Sequence, residues 1–371
     1  MPSTQWRNEV VCGARRIVVK VGTSALTDDR GQLDVDVVGT LAAQLAAVIR
    51  EGVGVTLVSS GAVGAGMGEL GLTRRPKTLP MLQATAAVGQ GQLMRRFHDA
   101  FAPFDVKVAQ ILVTRGDFES RARYLNIRNT IAALQDLGAV PIINENDSVA
   151  VDELRFGDND LIAAHVTNMV RAEALILLTV VDGVLANGQV LDVIEDARTG
   201  AARLPTGATS RLGAGGMGSK LQAAHMVATA GEVAIIANAR TPNILGRLLA
   251  GEKLGTLCAP SATKLSSRRR WIGQAARAAG RIVIDAGAVE ALRRKGRSLL
   301  PSGITAVSGS FAKGDTVAIV DPRGKVVARG LSNYDVDQVD RIKGLKTSQI
   351  ARALGDKPYD EVVHRDNMMI L

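Results

Sequence analysis

Between residues 15 and 258 the chain alternates short, mostly apolar runs with longer stretches of helical periodicity. RIVVKVG (16–22), VTLVSSG (55–61), VKVAQILV (106–113), AVPIINEN (139–146), ALILLTVV (174–181) and EVAIIANA (232–239) are runs of strand length, several ending in glycine or polar residues. DVDVVGTLAAQLAAVIREG (34–52) repeats apolar positions at helical spacing and stops at Gly52, and residues 126–137 and 219–230 also read as helices. Strands of continuous apolar character separated by helices predict a mostly parallel sheet sandwiched by helices, an α/β fold. In such folds ligands bind where strands end and loops begin, so the residues that follow each run are where chemistry is expected.

The pattern changes after about residue 258. SATKLSSRRR (261–270) is polar and basic and predicts a linker leading into a short helix. RIVIDAGAVEALRRKG (281–296) predicts strand, turn and helix. Residues 298–334 predict short strands with turns at 301–303, 313–315 and 322–324. The reading is an α/β domain over 15–258, a basic linker over 259–279 and a small, mostly-β module over 280–357.

Composition narrows this picture. With 371 residues, two domains or three are expected. Hydrophobic residues at 46% and charged residues at 22% exclude wholesale disorder. Aromatics at 3% argue against a surface that stacks many nucleobases. Cys12 and Cys258 cannot build a disulfide framework or a four-cysteine zinc site, and free thiols in a reducing compartment are expected. The apolar runs are too short to span a bilayer, and the N-terminal residues lack the apolar core of a secretory signal, so a soluble cytoplasmic protein is expected. Charge is concentrated: residues 261–300 hold ten basic side chains against Asp285 and Glu290, or +8 of the chain's +9. That stretch fits an anionic partner such as RNA, or a solvated linker and helix face; the lack of interleaved aromatics favours the second.

Four segments at strand ends carry candidate chemistry. Lys20, followed by Val21, Gly22, Thr23 and Ser24, suits either phosphate contact beside a backbone nest or a surface lysine at a strand end. SSGAVGAGMG (59–68) either opens room for a ligand at a helix start or permits close helix–sheet packing. INENDSV (142–148) and FGDNDLIAAHV (156–166), with Asp158, Asn159 and Asp160, suit an amino-bearing ligand, a metal, or surface turns with a helix cap. SRLGAGGMGSKLQAAHMVATAG (210–231) contains G-x-G-x-x-G at 213–218, but the residues before it are not an apolar strand. It is not a Walker A loop either, because Ser219 precedes Lys220. Its glycine N–H groups, helix start and first-turn lysine nevertheless make an anion site. His98, His165, His225 and His364 show no triad or metal-ligand spacing. Two lysines, two Gly-rich loops and an acidic cluster at strand ends point to phosphoryl transfer.

VVKVGTSALT, LVSSGAVGAG, INENDSVA, GDNDLIAA and GAGGMGSKLQAA, in this order, resemble the glutamate 5-kinase family over nearly the whole chain. The resemblance implies an amino acid kinase domain over 15–258 and a PUA domain over about 280–357. It implies ATP-dependent phosphorylation of the L-glutamate γ-carboxylate, the first step of proline biosynthesis, with Mg²⁺ carried by ATP and no metal ligand from the protein. By family position, Lys20 and the loop Ala214, Gly215, Gly216, Met217, Gly218, Ser219 and Lys220 would hold ATP phosphates, and Thr179 and Val180 would lie by the nucleotide. Ser60, Asp147 and Asn159 would hold glutamate, Asp147 meeting its ammonium and the other two its carboxylates; Asp160 would orient the lysines. The family also implies a homo-oligomer, dimer or tetramer; RNA contact through the PUA-like module is a separate expectation that comes from the basic residues of 261–300. The chain departs from the family where Val180 replaces a common Asp, and where the loop after Asp182 is short. An RNA-binding regulatory protein, or a kinase of another carboxylate or phosphate acceptor, are the alternative readings.

Overall fold

The computed structural model describes residues 6–149, 159–195, 216–260 and 266–371. The chain divides into two units, residues 1–117 with 122–264, and residues 118–121 with 265–371.

The first unit is built on an eight-stranded sheet: β1 Arg16–Val21, β2 Gly54–Ser59, β3 Lys107–Val113, β4 Ala139–Glu145, β5 Ala174–Thr179, β8 Val193–Ile194, β9 Val233–Asn238 and β10 Thr256–Cys258, while β6 Leu185–Ala186 and β7 Gln189–Val190 form a separate hairpin. The strand order is β3-β4-β2-β1-β5-β9-β10-β8, parallel throughout except where β10 runs antiparallel to β9. The six long strands coincide with the six apolar runs to within two residues. Their continuous burial, as in Ile17–Val21 and Ala174–Leu178, follows from helices lying on both faces.

Helices α1 Val35–Arg50, α2 Ala62–Glu69, α3 Leu79–Phe101, α4 Arg121–Asp136, α5 Asn159–Val170, α6 Met217–Thr229 and α7 Ile244–Leu249 connect the strands. α1 begins where the Asp34 carboxylate accepts from the Asp36 and Val37 N–H groups, and it ends before Gly52 at φ +85°. Its buried stripe of Leu41, Ala42, Leu45 and Val48 packs against Ile17, Val19 and Val21 of β1. Alternation along the strand therefore turns Lys20 to the opposite face of the sheet, towards α5.

The segment 59–68 resolves differently from a ligand-opening loop. Gly61 takes φ +110° to turn the chain out of β2, and the rest of the segment is helical. Gly66 of α2 and Gly89 of α3 then bring the two helix backbones into contact. A Cβ on Gly66 would overlap the Thr85 carbonyl, and one on Gly89 would overlap the Ala62 carbonyl. Close packing is thus the role of these glycines, between helices rather than between helix and sheet. Helix α3 carries little sequence signal because polar residues and interior glycines interrupt its periodicity.

The second unit holds a five-stranded sheet in the order β12-β11-β13-β14-β15, from β11 Gly280–Ile284, β12 Ile304–Gly309, β13 Thr316–Val320, β14 Val326–Leu331 and β15 Met368–Ile370, with helices α8 Ala286–Lys295 and α9 Val336–Ile342. Ile282, Ile284, Leu292, Val317, Ile319 and Tyr334 lie in its core. The turns at 313–315 and 322–324 join β12 to β13 and β13 to β14 as expected, whereas residues 301–303 form a short turn that leads from α8 into β12. Of the basic residues after 260, Arg281, Arg293, Arg294, Lys295 and Arg297 are exposed, whereas Arg270 is 1% exposed and does not belong to a solvated face. Among the described residues no helix is long and apolar enough to cross a membrane.

The α2–α3 contact makes a direct prediction. Gly89→Ala forces backbone apart and costs about 2 kcal/mol or more. Gly91→Ala, two residues on with open space around it, is neutral or stabilising by about 0.5–1 kcal/mol. Urea unfolding of the two variants checks the contrast; equal stabilities would refute the close packing.

Candidate active site

The first turns of α5 and α6 meet the end of β1. Lys20 from the strand, Asp160 from α5 and Lys220 from α6 are 4%, 0% and 6% exposed. Lys20 Nζ lies 2.6 Å from Asp160 Oδ1, and Lys220 Nζ lies 3.1 Å from Oδ2, so each carboxylate oxygen takes one ammonium. The Ser219 hydroxyl donates to Oδ2 at 2.7 Å. Burial alone would oppose ionisation of Asp160, but the two lysines, with the bonds from Lys20 and Ser219, outweigh it and hold the carboxyl well below the usual carboxylate range. The position of Asp160 in the first turn of α5 adds the favourable end of the helix dipole. Two cations and one anion leave the trio at net +1, a charge suited to gathering anions at the sheet edge.

Beside this trio runs a chain of amides. Asn159 Nδ2 donates to Ser60 Oγ at 3.0 Å and to Asn144 Oδ1 at 3.1 Å. Asn144, 2% exposed at the end of β4, donates in turn to Gln90 Oε1 on α3 at 2.8 Å. Ser60 and Asn159 are thus brought together, 99 residues apart in the chain. Both N–H groups of Asn159 are engaged within the chain of amides. Its remaining atom, Oδ1, is a buried acceptor without a hydrogen-bond partner. That geometry differs from the expected carboxylate donor: an acceptor suits an ammonium.

Asp147 follows in the turn after β4. Burial raises its carboxyl to about 6, and the Arg75 guanidinium partly opposes the rise. An acid held so far above its ordinary value, next to a polar cluster, is poised to ionise fully when a cation arrives. Arg75 and Gln90 were not among the residues the sequence singled out, and they lie in segments with no motif. Asn144 marks where INENDSV turns polar at the strand end, but the sequence assigned it no role of its own.

On the other side of the trio, Thr179 closes β5 half-buried, and Val180 beyond it is 38% exposed with no polar side-chain atom to offer. Asp182, two residues on, accepts from Asn238 Nδ2 at 2.8 Å, and Asn238 Oδ1 accepts from the Arg240 N–H at 2.9 Å. The short loop folds into the β6–β7 hairpin around Asn187 and Gly188, both at positive φ. Gly216 precedes α6, and Met217, Gly218, Ser219 and Lys220 form its first turn; Ala214, Gly215 and Asp158 lie outside the described residues. His165 is driven down to about 4 by burial and by the Arg115 charge, which fits a neutral packed side chain. Cys258, buried, is pushed up to about 12 and is inert. Among the described residues no group of three or more His, Cys, Asp or Glu side chains is arranged to hold a metal ion.

The model of the amino acid kinase family matches residues 15–238, and that of the PUA domain matches residues 280–354. The glutamate 5-kinase of Caldanaerobacter subterraneus subsp. tengcongensis is 45% identical over 363 residues, 96% of this chain and 98% of that protein. The glutamate 5-kinase of Geobacter sp. strain M21 is 44% identical over 372 residues, 98% of this chain and 100% of that protein. Among solved structures, the UMP kinase from Bacillus anthracis aligns with a TM-score of 0.47 at 14% identity, covering 68% of this chain and 99% of that chain.

Two stability measurements follow from the electrostatics. Asp160→Asn leaves two buried ammonium groups facing a neutral amide and costs about 3–5 kcal/mol; a loss under 1 kcal/mol in denaturant unfolding would mean that the trio is not coupled. For Asp147 the folded-state value lies above the unfolded one, so its contribution to the stability of the ligand-free protein is greatest at low pH and is lost as pH rises from about 4 to about 6. Asp147→Asn removes that slope, as read from the difference between the two stability–pH curves; identical curves would refute the raised value.

Proposed function

The chain belongs to the amino acid kinase family and, within it, to the glutamate 5-kinases, and from that premise we propose that the trio of Lys20, Asp160 and Lys220 is the phosphoryl-transfer centre, acting on the γ-carboxylate of L-glutamate with ATP as donor. The observation that carries the assignment is the convergence of two buried lysines, 200 residues apart, on the two oxygens of one carboxylate.

A γ-carboxylate, with a reference pKa of about 4.3, is already ionised at neutral pH, so attack on the γ-phosphorus requires no general base. The obstacle is repulsion between an anionic nucleophile and a polyanion. Lys20 and Lys220 offset it and stabilise the charge that spreads over the transferring oxygens. Asp160 has no proton to give or take at neutral pH; it positions the ammonium groups at the sheet edge. Mg²⁺ arrives with ATP, bound to its phosphates, and supplies further charge neutralisation there; no protein ligand is assigned to it. Met217, Gly218 and Ser219 start α6, whose N-terminal N–H groups face the same region and suit phosphate oxygens. With no side-chain acceptor at Val180, polar recognition of the nucleotide beside Thr179 falls to backbone groups. Asp147 receives the substrate ammonium, and Ser60, whose oxygen already accepts from Asn159, has its O–H left to donate to a carboxylate. The exposed basic residues of the second unit suit contact with RNA, which salt-dependent binding would reveal.

Purified protein given ATP, Mg²⁺ and L-glutamate makes an acyl phosphate that hydroxylamine traps as a hydroxamate. Lys220→Ala lowers kcat by about 10²–10³-fold; product no greater than in that control would overturn the reading. Because the ammonium requires an ionised Asp147, KM for glutamate climbs as pH falls below about 6, while KM for ATP does not follow it. Asp147→Ala raises KM for glutamate far more than for ATP, and equal changes would remove Asp147 from the acceptor site.

A further inference from the structure

The proposed mechanism uses only one end of the amide chain that runs from Gln90 through Asn144 and Asn159 to Ser60. A single backbone group orients every amide in it. The Glu145 N–H can only donate, so the side-chain atom of Asn144 that it meets at 2.9 Å is Oδ1. The other end of Asn144 is then Nδ2, and its partner on Gln90 at 2.8 Å is Oε1. By the same logic the group of Asn159 that meets Asn144 Oδ1 at 3.1 Å is Nδ2, whose second N–H goes to Ser60 Oγ. Two atoms remain, both buried and without a hydrogen-bond partner: Asn159 Oδ1, an acceptor, and Gln90 Nε2, a donor. Buried amides are seldom left incomplete. One unmatched acceptor and one unmatched donor, flanking the same Asn144, complement a ligand head that carries a cation and an anion together.

We propose that Gln90 is a specificity-determining residue of the acceptor site, its Nε2 donating to the α-carboxylate of the amino acid while Asn159 Oδ1 accepts from the α-ammonium. This rests on the reading of the trio as a glutamate kinase centre. The γ-carboxylate is committed to Lys20 and Lys220, which leaves the α-carboxylate as the anion for Gln90. Nothing else about Gln90 demands a glutamine: a carboxylate in its place would still accept from Asn144 but would turn an oxygen, not an N–H, towards the ligand.

The test compares Gln90→Glu with Gln90→Met in the full-length protein, by KM for L-glutamate and ATP and by the inhibition constant of 4-aminobutanoate. That molecule keeps the ammonium and the reacting carboxylate of glutamate and lacks only its α-carboxylate. Gln90→Glu raises KM for glutamate by about tenfold or more, and by more than Gln90→Met does, with KM for ATP held within about twofold. Both variants bind 4-aminobutanoate as the wild type does, so the preference for glutamate over it shrinks in each. If Gln90→Glu matches the wild type, or if glutamate and 4-aminobutanoate weaken together, Gln90 serves only to hold Asn144 and the proposal is overturned. Should thermal unfolding show Gln90→Glu misfolded, the preference ratio of Gln90→Met decides alone: a smaller ratio supports the contact and an unchanged one overturns it. A wild type that makes no hydroxamate with glutamate overturns the whole functional reading; normal wild-type turnover with an unchanged ratio overturns the Gln90 assignment alone.

Discussion

The Asp160 carboxylate is the constraint on which the site depends. Lys20 and Lys220 are 4% and 6% exposed, and burying either ammonium without a counter-charge would be prohibitive. Asp160, wholly enclosed, resolves that problem for both at once by giving one oxygen to each. The same bond set joins β1, α5 and α6, so the electrostatic solution is also what holds two helix starts against the end of a strand. Its cost is the desolvation of three charges, which a hydrophobic trio of similar size would avoid. The net positive charge that results is what such a trio would lack, and it is the property an anion-transfer centre needs.

A second constraint, purely steric, places the other half of the site. Ser60 leaves β2 just before the left-handed turn at Gly61, and α2 follows at once. Gln90 sits beside Gly89, the residue whose missing side chain lets α3 lie against the backbone of α2. The glycine contact thus fixes the distance between α3, which carries Gln90, and α2, whose start lies two residues after Ser60. Packing at this depth tolerates shifts of only tenths of an ångström, so hydrogen bonds of 2.8–3.1 Å along the amide chain depend on it.

Much of the fold was legible in the sequence. Six apolar runs without alternation marked the long parallel strands, because a strand covered on both faces has no polar side to show. Asp34 and Gly52 bracketed α1 through local cap chemistry. The short strands β8 and β10, three residues or fewer, had no period to detect. Helix α3 was not singled out, because polar residues and the interior Gly89 and Gly91 interrupt its period; Gly89 is there for a partner helix that sequence cannot display. The charge run after residue 260 read as a solvated face, and burial of Arg270 contradicts that for one member.

For the site, residue type and position marked Lys20 at a strand end, Asn159 and Asp160 in an acidic–amide cluster and Lys220 after a glycine loop, while Ser60 and Asp147 entered only through the resemblance to the glutamate 5-kinase family. The first group follows from the chain alone, since ligands in such folds bind where strands end and loops begin. What the sequence could not decide is which groups share atoms. That Lys20 and Lys220 divide one carboxylate, that Asn159 has spent its donors and offers an acceptor, and that Gln90 belongs to the same network are facts about contacts between residues 15 to 140 positions apart. Hydrogen-bond direction is settled pairwise in space, by which neighbour can only donate and which can only accept, and no linear pattern encodes that choice.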